Sequence, residues 1–105
     1  MSYKWPDKDK DEILDYSVDW SRFLGDDVVS AVTWFILDAD GIKTQVADSS
    51  IVNGLQFVTG TQTEQVATAR FSLGINNVRY TVVCRITTSG GLQYERSIFM
   101  RVREK

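Results

Sequence analysis

Apolar side chains recur at every second position through most of this chain, the period of a β-strand with one buried face. In "DEILDYSVDW", Leu14, Tyr16, Val18 and Trp20 share one face, and Ile13, Asp15, Ser17 and Asp19 share the other. "DWSRFLG" predicts one short helical turn: Asp19 or Ser21 can accept from its free N–H groups, and Gly25 can end it. "VVSAVTWFIL", residues 28–37, is apolar on both faces and predicts a central strand with Trp34 packed inward. The turn "DADG" leads from it into "IKTQVA". Residues 48–63 mix turn formers with a short apolar run and predict one or two short strands. Alternation returns with Ala67, Ala69, Phe71 and Leu73. After "GINN" it resumes with Tyr80, Val82, Cys84 and Ile86. "TTSGG" closes a hairpin in which Gly90 or Gly91 supplies a positive φ. In the last strand Leu92, Tyr94, Ile98, Met100 and Val102 share a face with Arg96. That requires either a bulge near residues 95–97 or an inward, paired arginine.

About seven strands at a spacing of roughly 8–12 residues, mostly joined by short turns, predict an all-β fold. The expected architecture is an immunoglobulin-like antiparallel β-sandwich with one short helical turn near 20–25. Trp34 in an early central strand and a tyrosine near the start of the penultimate strand suit that type. Cys84 is the single cysteine, so no intrachain disulfide can form, and its phase makes it a small core residue. Residues 11–105 are expected to form the one sandwich domain, preceded by an extended N-terminal arm over 1–10. The arm follows from seven charges in residues 4–12 and from Pro6, which disfavours helix at Trp5.

The 105 residues carry a net charge of −2, unevenly spread. Residues 1–52 hold ten Asp and Glu12 against Lys4, Lys8, Lys10, Arg22 and Lys43, or −6; residues 53–105 hold six Arg and Lys105 against Glu64, Glu95 and Glu104, or +4. Either strands of the two halves lie side by side and compensate locally, or the surface is bipolar and suited to asymmetric docking. The first reading is favoured.

Histidine is absent, which removes the usual general base, the usual nucleophile activator and the commonest transition-metal ligand. "DADGIKTQVADS" starts like a calcium loop but lacks Glu at its twelfth position. No cofactor, no metal and no enzymatic activity are expected. An acidic domain with pI near 5.0 makes nucleic acid a poor partner. No apolar run is long enough to span a membrane, and no secretory signal is expected at the start.

A binding or assembly role remains. Tyr3 and Trp5 either cover the end of the sandwich or anchor on another subunit. Arg96, Arg101 and Arg103 supply surface charge for pairing within or between subunits, so the candidate partner-binding set is Tyr3, Trp5, Arg96, Arg101 and Arg103.

Two long patterns carry a resemblance. The first is K-W-P-x-K-D-x-D-E-x-L-D-Y-x-x-D-W, Lys4 to Trp20; the second is R-I-T-T-x-G-G, then E-R-S and R-V-R, spanning Arg85 to Arg103. They resemble the fiber–tail adaptor proteins of tailed phages and prophages, many of which have Pro where this chain has Lys10. The resemblance implies a non-enzymatic virion structural protein, made in the bacterial cytoplasm during assembly, that joins tail or baseplate components to fibres. Its partners would be other virion proteins, with a homo-oligomer possible in the assembled particle. The rival reading is a carbohydrate- or cell-surface-binding module, in which Phe99 or Tyr94 would form part of an exposed aromatic platform.

Overall fold

A computed structural model describes residues 3–104, with the side chain of Tyr3 outside the described part. Nine strands form among these residues: β1 (Tyr3–Lys4), β2 (Leu14–Asp19), β3 (Val29–Leu37), β4 (Lys43–Val46), β5 (Ser50–Val52), β6 (Leu55–Thr63), β7 (Val66–Leu73), β8 (Arg79–Thr88) and β9 (Gln93–Arg101). One helical turn, α1 (Ser21–Leu24), lies between β2 and β3. Asp19 accepts from the Ser21 N–H at 2.9 Å, and Gly25 follows the turn with φ +57°.

The strands make two layers, a five-stranded sheet β1-β9-β8-β3-β4 and a four-stranded sheet β2-β7-β6-β5. The fold is therefore an all-β sandwich, as the alternation predicts. β3 is paired on both sides, by β4 and β8, which explains why it is apolar on both faces. Two strands exceed the expected seven. One comes from Asn53–Gly54: both residues have positive φ, and they turn β5 directly into β6. That dipeptide between apolar residues is a strong hairpin signal.

The other additional strand is β1, and it changes the account of the N-terminal segment. Residues 1–10 were expected to form a separate extended arm. From Tyr3 onward the segment is extended but does not stand apart: β1 runs parallel to β9, whereas the other strand pairs among the described residues are antiparallel. Lys8 continues it with a parallel bridge to Val102. Trp5 is 8% exposed and belongs to the core. Its indole donates to the Ser17 carbonyl at 3.1 Å and stacks on Tyr16 at 4.9 Å, and the Tyr16 hydroxyl donates back to the Pro6 carbonyl. Burying a large aromatic outweighs leaving a short charged segment solvated, provided that its charges turn outward or find partners.

Lys8 shows how such partners are found. It is fully buried, yet its Nζ donates to the carbonyls of Asp9 and Leu73, each at 2.7 Å. Asp9, Asp11 and Glu12 close a local turn, with Glu12 accepting from the Asp9 N–H.

The rest of the core follows the predicted faces. Tyr16, Val18 and Trp20 from β2 and its flank, Ala67, Ala69 and Phe71 from β7, and Tyr80, Val82, Cys84 and Ile86 from β8 are all buried. Leu73 departs from its face: with φ +62° it leaves the strand alternation and is half exposed. Arg96 settles the phase question in β9. No bulge occurs there, since β8 and β9 stay in register from Arg79↔Arg101 to Thr87↔Gln93, so Arg96 points inward opposite Cys84.

A bulge does occur in β6, between Phe57 and Thr59, and it rephases the strand so that exposed Gly60, opposite Ala69, turns its side-chain position toward Trp34 and Phe57. A Cβ on Gly60 would lie 2.9 Å from Trp34 Nε1 and 3.0 Å from Phe57 Cζ. Gly60→Ala is expected to cost about 1–3 kcal/mol by overpacking. Trp5→Ala is expected to cost about 3–5 kcal/mol by emptying a core site. Urea unfolding of each variant measures both; an unaltered midpoint for Trp5→Ala would place that residue outside the core.

Candidate interaction surfaces

The outer face of the five-stranded sheet is built from the alternate residues that the core leaves pointing outward. Along β9 these are Gln93, Glu95, Ser97, Phe99 and Arg101; along β8 they are Arg79, Thr81, Val83, Arg85 and Thr87. The adjoining strands add Phe35, Lys43 and Lys4. Five of these side chains are cationic and Glu95 is the one carboxylate.

At the middle of the face, Glu95 accepts from Arg85 at 2.9 Å and from Lys43 at 3.2 Å. Both cations also lie over the Phe35 ring, 4.7 and 5.0 Å from its centre, and this covers an otherwise outward-facing aromatic. Burial opposes ionisation of Glu95, but the hydrogen bonds from Arg85 and Lys43 hold its carboxyl below the ordinary glutamate range.

At one end of the face the charges are not balanced. Arg79 and Arg101 stand directly opposite each other across β8 and β9. Arg79 packs over Phe99 at 4.7 Å, and Lys4 enters beside Phe99 from β1. Lys4, Arg79, Phe99, Met100 and Arg101 line an open depression of about 410 Å³. Among the described residues no ion pair engages Lys4, Arg79 or Arg101. Arg103, exposed just beyond, donates its backbone N–H to the Lys8 carbonyl.

The opposite end of β9 is apolar. Phe23 is 50% exposed and Leu92 55% exposed, and Tyr94 sits 6.4 Å from Phe23. The Arg96 guanidinium lies over both Trp20 and Phe23, at 4.7 Å from each ring. Asp27 ties this end together: it accepts from Ser89 Oγ and from the Gly90 N–H at 3.1 Å. A Cβ on Gly90 would approach Asp27 Oδ2 to 2.8 Å, which gives the small residue in "TTSGG" its reason, while Gly91 takes the positive φ. By the rise of a strand, Tyr94 and Arg101 are roughly 23 Å apart.

A third feature is a cleft of about 590 Å³ between the sheets, where β4 and β6 are not joined. Trp34, Val46, Phe57 and Gly60 form its apolar wall, and Gln45, Asp48 and Gln62 its polar rim.

The predicted site residues therefore separate. Arg101 and Arg103 fall at the basic end and Arg96 at the apolar end, while Trp5 is a core residue; the Tyr3 side chain is outside the described part. Lys4 and Arg79 were not singled out as partner-binding residues from the sequence, and Phe99 entered only with the carbohydrate reading. Their only signal was alternation, which put Arg79 on the outward face of its strand. The uneven charge resolves into both arrangements considered. Asp15 and Arg70 compensate across β2 and β7 at 2.8 Å, as do Lys43 and Glu95, whereas the Arg79–Arg101 end keeps its excess.

Cys84 is fully buried, and burial pushes its thiol up to about 12, against the opposing influence of the neighbouring Trp20 indole and the charge of Arg96. Among the described residues no group of three or more His, Cys, Asp or Glu could hold a metal ion, and no helix is long and apolar enough to cross a membrane.

Three exposed aspartates are held below the ordinary carboxylate range, Asp15 by Arg70, Asp19 by Ser21 and Asp27 by Ser89 and Thr88. A depressed folded-state pKa gives stability that is present above the unfolded value and lost as pH falls through the folded one. Thermal melts are thus expected to be flat from neutral pH to about 5 and to drop below about 4, where these carboxylates take up protons.

A family model described as podophage GP4 fiber-tail adaptor protein gp77 matches residues 8–101. No curated protein matches the chain.

Proposed function

The chain belongs to the podophage GP4 fiber-tail adaptor protein family, and from that premise we propose that it is a non-enzymatic virion part joining tail or baseplate components to fibres through the two ends of β9. Membership of this family makes the chain a phage structural adaptor and a component of the virion. The observation that carries the finer reading is that the two ends differ in kind. One presents Lys4, Arg79 and Arg101, which no ion pair engages among the described residues, around Phe99, and the other presents Phe23, Leu92 and Tyr94 with Arg96 between them. A connecting protein needs two surfaces that do not compete for one partner, and opposite chemistry at opposite ends supplies them.

Other features support the reading. The Tyr80 hydroxyl accepts from the Ile75 N–H at 2.9 Å and donates to the Asn53 carbonyl at 2.7 Å, a tyrosine corner at the start of β8. With Trp34 on β3, it favours an immunoglobulin-like sandwich, a scaffold that offers its faces and ends to other proteins. Assembly would begin in the bacterial cytoplasm. A carbohydrate platform is disfavoured, because on the outer sheet face Phe35 is covered by Lys43 and Arg85 and Phe99 by Arg79, while Tyr94 packs against the core on the other face of β9.

Labelling the protein in purified virions and locating it by electron microscopy tests the proposal. Density at the junction of tail and fibre is expected; a position in the capsid shell or at the fibre tip would refute it.

A further inference from the structure

The Arg79–Arg101 pair runs against the rule that like charges directly opposite in a sheet destabilise it. Elsewhere on the same face the rule is kept, with Arg85 and Lys43 sharing Glu95. Folded proteins tolerate such a local violation mainly where function requires it. Here the cations are also organised: Arg79 is held over Phe99, and Lys4 is delivered to the same depression by the parallel strand β1.

We infer that this depression is the docking site for an acidic polypeptide segment of a neighbouring virion protein. Carboxylates of the segment pair with Arg79, Arg101 and Lys4, and an apolar side chain packs against Phe99. The inference rests on the adaptor reading and names the chemistry of one of its two partners.

Charge complementarity selects the occupant. Three or four cations on a molecule of net charge −2 suit a short run of carboxylates, whereas a nucleic-acid strand needs a longer basic track and meets repulsion from the rest of the surface. On a second copy of this chain the strand carboxylates are engaged, Asp15 and Glu95 with its own Arg70, Arg85 and Lys43 and Asp19 with Ser21, which leaves single turn carboxylates such as Asp40 and Asp48 rather than an extended acidic segment. Guanidinium groups also favour carboxylates geometrically, since two N–H groups can reach both oxygens at once.

The test uses the full chain and a short fluorescein-labelled peptide alternating Glu with Val, followed by fluorescence anisotropy. The peptide is expected to bind, to weaken with added salt, and to bind about tenfold or more weakly to Arg79→Glu/Arg101→Glu. The control Arg22→Glu, which reverses one exposed charge outside the depression, should bind as the parent does. Arg79→Gln/Arg101→Gln, which removes the repulsion without adding charge, should melt no lower than the parent and still lose the peptide, separating recognition from folding. Unchanged binding by both double variants overturns the inference. So does tighter binding of an oligothymidine strand than of the peptide, or self-association of the free chain that either double variant abolishes. Incorporation into virions separates the two levels of argument: a parent chain absent from virions defeats the adaptor reading, whereas a parent that incorporates and loses nothing with the double variants defeats the docking site alone.

Discussion

The aromatic cluster at the centre of the sandwich is the constraint on which the rest depends. Trp5 contacts Tyr16, Trp34 and Phe71, while Phe57 contacts both Trp34 and Phe71, with ring centres 4.9–6.2 Å apart. So much ring volume fits between two sheets only if facing positions are small. Ala67 and Ala69 on β7 and Gly60 on β6 provide the space, and the β6 bulge brings Gly60 rather than Thr59 to that point. Packing at interior density ties these choices together, since neither ring nor glycine can change alone.

The same cluster explains the highly charged N-terminal stretch. Trp5 must reach the core, so the chain runs along β9, and that path carries Lys8 into a fully buried position. A buried ammonium is tolerated because it takes the carbonyls of Asp9 and Leu73, the latter on a left-handed residue beside Gly74. Val102 packs so tightly on Gly74 that a Cβ there would lie 2.6 Å away. The motif from Lys4 to Trp20 is thus largely a closure for the sandwich, with Trp5, Lys8, Tyr16 and Trp20 all buried.

Once closure has used those residues, recognition falls to what alternation leaves outside. Burying Ile98 and Met100 forces Phe99 and Arg101 outward, and the register of β8 brings Arg79 to face Arg101. At the far end, Arg96 is turned inward by the same alternation but lies at the open rim, where Trp20 and Phe23 accept its guanidinium. A single strand therefore places opposite chemistries at its two ends. That geometry is what supports the proposed role, in which each end meets a different neighbour.

Much of this was legible in the residue order. Period-two alternation identified the sandwich and the inward faces of β2, β7 (except Leu73) and β8, because strand faces are set by local geometry, while cap and glycine signals identified the helical turn at Ser21–Leu24 and the β8–β9 turn. The patterns from Lys4 to Trp20 and Arg85 to Arg103 pointed to the adaptor family that the match over residues 8–101 shows. Asn53–Gly54 was readable as well, and the second hairpin strand with it. Pairing between distant segments was not readable. That Trp5 enters the core, that β1 lies parallel to β9, and that Arg79 meets Arg101 depend on register across long sequence separations, where nothing local specifies the partner. Composition marked Lys4 to Glu12 as a charged arm and left open whether Trp5 covered the sandwich or anchored on another subunit, and the free energy of burying one indole decided for the first. Which arginines would find a carboxylate and which would stay uncompensated was decided only when the strands came together.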